Sequence, residues 1–122
     1  VGGLCNSVSG FCSFVGGGNR NTASGGNSAI GGGLCNIMSA TYSFIGAGSR
    51  NCASGVHASI LGGNCNNTNS YNYTMIVGSN ITADRVCATF VNNLSIMNIP
   101  DSDAGLPIGS VWSNSGTLQI VK

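Results

Sequence analysis

The chain has 122 residues, and 20 of them are glycine, more than twice the usual share. Charged residues make up only 6% and the formal net charge is +1, so no basic surface for nucleic acid or an anionic membrane is predicted. No apolar run reaches the roughly 18 residues of a membrane span, so membrane insertion is not expected either.

A unit of fifteen residues is repeated along most of the chain. The repeat is easiest to see when one position of the unit is followed through successive repeats, and we call each such set of residues a column. The glycine column is Gly3, Gly18, Gly33, Gly48, Gly63 and Gly78, and the asparagine column is Asn6, Asn21, Asn36, Asn51 and Asn66. A fixed period of this kind is the signature of a repeat architecture in which each unit packs on its neighbours.

Each unit is predicted to contain two short strands, because apolar or small residues recur two positions apart. The predicted inward columns are Val15, Ile30, Ile45, Ile60, Met75 and Phe90; Ser13, Ser28, Ser43, Ala58, Tyr73 and Ala88; and Val8, Ala23, Met38, Ala53, Thr68 and Ala83. The glycines provide the positive φ of tight corners, and asparagine at a repeated turn position can bond its own backbone and tolerate the left-handed region. The coils therefore stack into an all-β parallel β-solenoid of about 15 residues per coil.

Large apolar residues also recur on the opposite side of the predicted strands. Phe14 and Phe44 are thirty residues apart, as are Leu4 and Leu34. Because side chains alternate across a strand, Phe14 and Phe44 should point away from the core. These four residues are the predicted interface between copies of the chain, and a threefold bundle is the simplest closed form.

Six cysteines would suit a secreted disulfide framework, but their spacing argues against one. Cys5, Cys35 and Cys65 would lie two rungs, about 9.6 Å, apart, which exceeds the roughly 7 Å limit for a disulfide. Only Cys52 could reach Cys35 or Cys65. We expect most of these thiols to be buried small apolar groups, as in a chain folded in a reducing compartment.

The repeat becomes irregular after Gly63, and two regions are predicted: a β-roll over residues 1–91 and an ending over residues 92–122. Within the ending, residues 94–99 are typical of an exit strand, and residues 100–107 form a proline-bounded loop. Residues 110–113 and 117–121 alternate around Asn114-Ser115-Gly116, a pattern that predicts a β-hairpin. The hairpin is expected to cap the open end of the solenoid.

Few residues could support catalysis. The carboxylates are Asp84, Asp101 and Asp103, and His57 is the single histidine. Asp101 and Asp103 could in principle act as a glycosidase pair, but their place in a proline-bounded loop favours turn and capping roles. His57 has no cysteine at zinc-finger spacing, and the triple glycine lacks the lysine of a phosphate loop. We therefore predict no enzyme, no metal and no cofactor.

Binding is the remaining candidate activity. Tyr42, Tyr71 and Trp112 depart from the small residues of the repeat and could contact a ligand, or could pack between subunits or under the hairpin. Tyr73 also departs from them, but at an inward position. The candidate glycosylation sites are Asn66, Asn72, Asn80 and Asn93, each of which begins an Asn-x-Ser/Thr sequence.

The repeat also resembles a known family. The run from Asn27 to Gly33, with Asn51-Cys52-Ala53-Ser54-Gly55, is similar to the YadA-like (Hep/Hag) head repeat of trimeric autotransporter adhesins, which also occurs in fibres of phages and large viruses. The resemblance implies a left-handed parallel β-roll, three intertwined chains and attachment to host surfaces. The ending from Ala104 to Trp112, with Gly116 to Lys122, resembles endings of phage and viral structural proteins.

Three departures bear on the function that this resemblance implies. The period is fifteen rather than the family's commoner fourteen, the cysteine content is unusual for an exported adhesin, and no coiled-coil stalk follows the repeats. We therefore expect a structural module of a trimeric viral or phage fibre that presents an attachment tip to a host glycan or protein. The alternative is a bacterial surface adhesin or extracellular filament subunit. In both cases a virion or anchor domain is expected upstream, and the location is a virion surface or the cell exterior.

Overall fold

The computed structural model describes residues 2–122; Val1, the first residue of the predicted repeat region, lies outside them. Ten short strands, β1 to β10, form the repeat region, and two more, β11 and β12, follow it. The first eight are β1 Ser7–Val8, β2 Phe14–Val15, β3 Thr22–Ala23, β4 Ala29–Ile30, β5 Ile37–Met38, β6 Phe44–Ile45, β7 Cys52–Ala53 and β8 Ser59–Ile60. The remaining four are β9 Met75–Val77, β10 Thr89–Val91, β11 Val111–Asn114 and β12 Thr117–Ile120.

The ten repeat strands form two parallel sheets. A four-stranded sheet has the order β1-β3-β5-β7, and a six-stranded sheet has the order β10-β9-β8-β6-β4-β2. Neighbouring strands pair fifteen residues apart, as in Val15 with Ile30 and Ile30 with Ile45. The predicted parallel β-solenoid is therefore confirmed, whereas the hand of the coil and the threefold bundle stay predictions.

The core is a thin layer between the two sheets. Val15, Ile30, Ile45 and Ile60 come from the six-stranded sheet, and Ala23, Met38 and Ala53 come from the four-stranded sheet, and all of them are inaccessible to solvent. Hydrogen bonds between successive coils, such as Phe14 N to Ser28 O, satisfy the backbone along the stack. Each coil thus depends on its neighbours for both burial and hydrogen bonding.

Two predicted inward positions are wrong in the irregular part of the repeat. Met75 is exposed, and Ile76 fills the core in its place, paired with Ile60 sixteen residues earlier. Tyr73 is likewise exposed, and Thr74 takes its buried position. The cause is one extra residue between Thr68 and Ile76. A corner one residue shorter follows between Ile76 and Ala83, so Phe90 returns to the expected column.

The asparagines of the repeat bond to the nearby backbone, as a turn position indicates, but they do not lie in the left-handed region. The left-handed residues of that corner stand one position earlier: Cys5, Arg20, Cys35, Arg50, Cys65 and Asn80 have φ of 55 to 57°. Asn21, Asn36, Asn51 and Asn66 are buried instead. The positive φ predicted for the glycine column is confirmed at all six positions.

Residues 92–122 follow the last solenoid strand, and Asn92 still hydrogen-bonds to Ser79 of the solenoid through its side chain. The predicted exit strand over 94–99 is not formed, but the antiparallel hairpin of β11 and β12 is confirmed, with Trp112 paired to Gln119. Ser113 donates to Pro100 O and Gly109 donates to Val121 O. Within residues 2–122, no hydrogen bond joins residues 93–122 to the solenoid, and capping by the hairpin stays a prediction. The same residues include no helix long and apolar enough to cross a membrane.

Candidate functional site

The outer side of the six-stranded sheet is the most distinctive surface of the solenoid. Because side chains alternate along a strand, each buried core residue is flanked by two residues that point outward. Phe14 is 55% exposed beside the buried Val15, and Phe44 is 41% exposed beside the buried Ile45. The predicted outward orientation of both phenylalanines is confirmed.

Two columns of side chains cover this outer side, one residue from each column on every strand. The first column runs Phe14, Ala29, Phe44, Ser59, Met75 and Thr89. The second column runs Gly16, Gly31, Gly46, Leu61, Val77 and Val91. Large and small residues alternate in the first column, whereas the second changes from glycine to large aliphatic residues halfway along the stack.

A β-carbon at Gly16, Gly31 or Gly46 would first meet a carbonyl oxygen of the next coil, and rings also lie over two of these glycines. The ring of Phe14 lies over Gly16, with its nearest atom 3.2 Å from the point where a β-carbon would stand. The ring of Phe44 lies over Gly46 in the same way, at 3.6 Å. Each phenylalanine therefore lies along its own strand.

A third column lies at the corner before the six-stranded sheet. Its six residues all have φ between 51 and 56°: Cys12, Asn27, Tyr42, His57, Tyr73 and Cys87. Tyr42 and His57 stack with ring centroids 5.0 Å apart, and His57 and Tyr73 stack at 5.1 Å. The planes differ by 7° and 8°, so the three rings form one continuous stack along the solenoid.

We call the surface formed by these three columns the apolar face. Two shallow grooves run along it between the corner column and the first sheet column. The first, of about 520 Å3, is lined by Cys12, Phe14, Ala29, Tyr42 and Phe44 among others. The second, of about 420 Å3, is lined by His57, Ser59, Tyr73, Met75 and Cys87 among others. The three columns contain no Asp, Glu, Lys or Arg.

The stack of Tyr42, His57 and Tyr73 could not be recognised with a strict period of fifteen, because Tyr73 falls sixteen residues after His57. A signal for the extra residue is nevertheless present. A hydroxyl residue stands two positions before the core isoleucine in Ser28-Ala29-Ile30 and Ser43-Phe44-Ile45, and again in Thr74-Met75-Ile76. Aligning the repeats on the hydroxyl residue and the core isoleucine, rather than on a fixed period, places Tyr73 in the corner column.

The four predicted interface residues lie at two places. Phe14 and Phe44 belong to the apolar face and line its first groove. Leu4 and Leu34 are also exposed, but they lie in the opposite corner and form isolated bridges with Asn19. Only the phenylalanines therefore belong to the larger apolar surface.

The three predicted ligand contacts do not form one site. Tyr42 is exposed in the corner column. Tyr71 is partly buried in the corner with the extra residue, where its backbone N donates to Thr68 O. Trp112 is partly buried in the hairpin, outside the solenoid. Ligand contact by these residues stays a prediction, and each residue would contact a ligand on a different surface of the protein.

The expectation that most thiols are buried is wrong. Cys5, Cys12, Cys65 and Cys87 are exposed, and Cys35 and Cys52 are partly buried; all six are free thiols. The reason is the backbone: all except Cys52 occupy left-handed corner positions, whose side chains lie outside the core. Burial raises the pKa of the Cys52 thiol, and the side-chain hydrogen bond with Ser54 partly offsets that effect.

The four candidate glycosylation sites differ in accessibility. Asn66 is buried, and its Nδ2 atom donates to Gly62 O and Gly78 O, so this atom is not available to a glycan in the folded chain. Asn72, Asn80 and Asn93 are exposed. Modification of these three residues stays a prediction.

The ionisable residues are dispersed. Arg85 forms an exposed ion pair with Asp84 at 2.7 Å, and its hydrogen bond lowers the pKa of that carboxyl. Asp101 and Asp103 are exposed in the loop before the hairpin. Among residues 2–122, no group of three or more His, Cys, Asp or Glu residues is close enough to hold a metal ion.

Comparison of the chain with models of protein families, with curated proteins and with solved structures gives no match in any of the three. The fold and the apolar face therefore carry the functional argument.

Proposed function

We propose that the chain is a structural, non-enzymatic module of a viral or phage fibre, covered along its apolar face by another copy of the chain and presenting an attachment tip to a host glycan or protein. One observation supports the proposal above the others. Six large apolar side chains are exposed on a single side of a rod: Phe14, Phe44, Leu61, Met75, Val77 and Val91. A continuous apolar surface of this kind is typical of an interface.

The interior of the rod supports the same role. Within residues 2–122 the core is a single layer of small and aliphatic side chains, and the two grooves are shallow surface features between columns. A solenoid stacks identical units in one direction, which gives length and stiffness from a short repeated sequence. Length and stiffness are the properties that a fibre requires.

The attachment tip is proposed to be the segment of residues 92–122. Trp112 lies in its hairpin, and Ile108, Leu118 and Ile120 are all more than half exposed there. Exposed aromatic and aliphatic residues are common in recognition surfaces. This part of the proposal is the one that a binding measurement can address directly.

The proposal is tested first by location. Gold-labelled antibodies against the purified chain should decorate fibres that project from virus particles, and the proposed location is therefore the virion surface. Decoration of a bacterial cell surface or of extracellular filaments would favour the adhesin alternative. Labelling confined to the cell interior would contradict both.

The tip is tested by binding. The purified chain, coupled to fluorescent beads for multivalency, should bind a subset of a glycan array or of host surface proteins. The Trp112→Ala variant should lose at least tenfold in apparent affinity, whereas the matched Ile37→Ala variant, exposed on the other sheet of the solenoid, should not. Equal loss in both variants, or hydrolysis of a bound glycan, would contradict the proposal.

A further inference from the structure

The apolar face is uneven along its length, because the size of its outward side chains differs from strand to strand. We call each strand of the six-stranded sheet, with its corner residue, one rung; rungs one to six are β2, β4, β6, β8, β9 and β10. Rung two presents only Ala29 and Gly31 outward, whereas rung five presents Met75 and Val77. The face therefore has a hollow at rung two and a ridge at rung five.

Two rods that run in the same direction would match this surface poorly. Rungs of equal height would meet in a parallel pair or in a threefold bundle, so Ala29 and Gly31 would face only their own counterparts. The ridge of Met75 and Val77 would also face the same ridge of the other copy. An interface with a void at one level and excess volume at another loses packing at both levels.

Two rods that run in opposite directions would match at the two most uneven levels, because rung two of each copy would face rung five of the other. A twofold axis parallel to the strands, between rungs three and four, brings rung one opposite rung six, rung two opposite rung five and rung three opposite rung four. In the first column, Phe14 then faces the partner's Thr89, Ala29 faces the partner's Met75, and Phe44 faces the partner's Ser59. In the second column, Gly31 faces the partner's Val77. Gly16 and Gly46 lie under the rings of Phe14 and Phe44, so the partner's Val91 and the partner's Leu61 would meet those rings.

We therefore propose that the apolar face binds a second copy of this chain in antiparallel orientation, with large side chains of each copy in the hollows of the other. The inference rests on the proposed role of the apolar face, which is covered by the chain itself, and it replaces the threefold bundle that the family resemblance implies. An antiparallel pair then presents one segment of residues 92–122 at each end of the rod. The interface is closed, because the same surface is used by both copies.

The same axis also pairs the residues of the corner column. The same axis places Tyr42 opposite the partner's His57 and Asn27 opposite the partner's Tyr73. It also places Cys12 opposite the partner's Cys87 at both ends of the pair.

Charge and area fit the same partner. The face has no charged side chain, so it needs an uncharged partner, and a second copy provides one. The face spans five rung intervals of about 4.8 Å and four residue intervals of about 3.3 Å, which with side-chain reach gives about 500 to 700 Å2 per copy. A pair would bury about 1,000 to 1,400 Å2 in total, which reaches the range of specific interfaces.

Thiol cross-linking tests the orientation directly. A variant in which Cys5, Cys35, Cys52 and Cys65 are replaced by serine keeps only Cys12 and Cys87. Within one chain these two residues are five rungs, about 24 Å, apart, so a short bis-maleimide should link them only between chains. We expect linked peptides that join Cys12 of one copy to Cys87 of the other, identified by mixing light and 15N-labelled chains.

The opposite result is equally clear. Links from Cys12 to Cys12 and from Cys87 to Cys87 would mean parallel chains and would overturn the inference. A pair that forms but yields neither kind of link would overturn it as well, because both thiols are exposed at the ends of the face.

Native mass under reducing conditions provides the second test. Light scattering should give twice the chain mass of 12.2 kDa. Phe44→Glu should weaken association at least tenfold with an unchanged circular dichroism spectrum, and Ser39→Glu, exposed on the opposite sheet, should leave the pair intact. A threefold mass, or a monomer at all concentrations, would overturn the inference. Neither result bears on antibody labelling of fibres, which tests the proposed function separately.

Discussion

Asn21, Asn36, Asn51 and Asn66 form a hydrogen-bonded ladder inside one corner of the solenoid. Asn36 is representative: its Nδ2 atom donates to Gly32 O and Gly48 O, and its Oδ1 atom accepts from Asn51 N. One side chain thus satisfies backbone groups of its own coil and of the next. The sequence indicated a corner role for these residues but not their burial, because burial depends on the neighbouring coils that provide the partners.

Replacing Asn36 with alanine should destabilise the protein by about 2 to 4 kcal/mol, because the buried Asn51 N and Gly32 O would lose their partners. Urea denaturation followed by circular dichroism measures the loss. Asn93 is exposed, and Asn93→Ala should change the free energy of unfolding by less than about 0.5 kcal/mol. Equal effects at both positions would contradict the role of the ladder.

Gly33 and its neighbour Gly32 differ sharply in whether a β-carbon fits at their positions. Gly33 has φ of 98°, and a β-carbon there would overlap the carbonyl oxygen of Gly48 on the next coil. The nearest atoms to a β-carbon at Gly32 are 3.9 Å away. Gly33→Ala should therefore cost more than about 2 kcal/mol, and Gly32→Ala less than about 1 kcal/mol. Thermal unfolding of the two variants side by side measures the difference.

Among the features of the coils, their length was predicted least well from the sequence pattern. Fifteen residues per coil, two strands per coil and the inward columns could all be predicted up to Ile60, because each column repeats the same residue type. Beyond Gly63 only Gly78 keeps the corner glycines of the repeat, and a fixed period of fifteen placed Met75 and Tyr73 in the core. The structure instead adds one residue at Asn69 and Ser70, both at positive φ.

Deleting Ser70 should restore a regular corner, because Thr68 and Ile76 would then be separated like Ala53 and Ile60. We expect the free energy of unfolding to change by less than about 1 kcal/mol. Deleting Thr41 from a regular corner should cost several kcal/mol, because a shift of one residue turns core side chains outward. Denaturation of both deletion variants checks this, and equal losses would contradict the assignment of the extra residue.

For the molecule as a whole, the candidate site illustrates what a single sequence can predict. The outward phenylalanines followed from alternation within a strand, whereas the apolar face required three columns from six rungs to be placed together. The buried thiols were predicted wrongly for a related reason: cysteine is usually buried, but here five of six occupy left-handed corners. Local backbone conformation outweighed the average preference of the residue.

Association through the apolar face should make the apparent stability depend on protein concentration. The midpoint of thermal unfolding should rise as the concentration increases from about 1 to 100 μM, and it should change little with added salt because the face is uncharged. Differential scanning calorimetry across that range measures both effects. Phe44→Glu should abolish the concentration dependence, and a midpoint that does not depend on concentration in the parent chain would contradict it.

The alternation of large and small residues on successive rungs has a consequence for how such a rod can lengthen during evolution. Leu4 and Leu34, Phe14 and Phe44, and Cys5 and Cys35 each recur after thirty residues, so the unit that is copied is a pair of coils. In an antiparallel pair, large residues meet small ones only when the number of rungs is even. Gene duplication by pairs of coils would keep that number even, whereas the gain of a single coil would set large residues against each other.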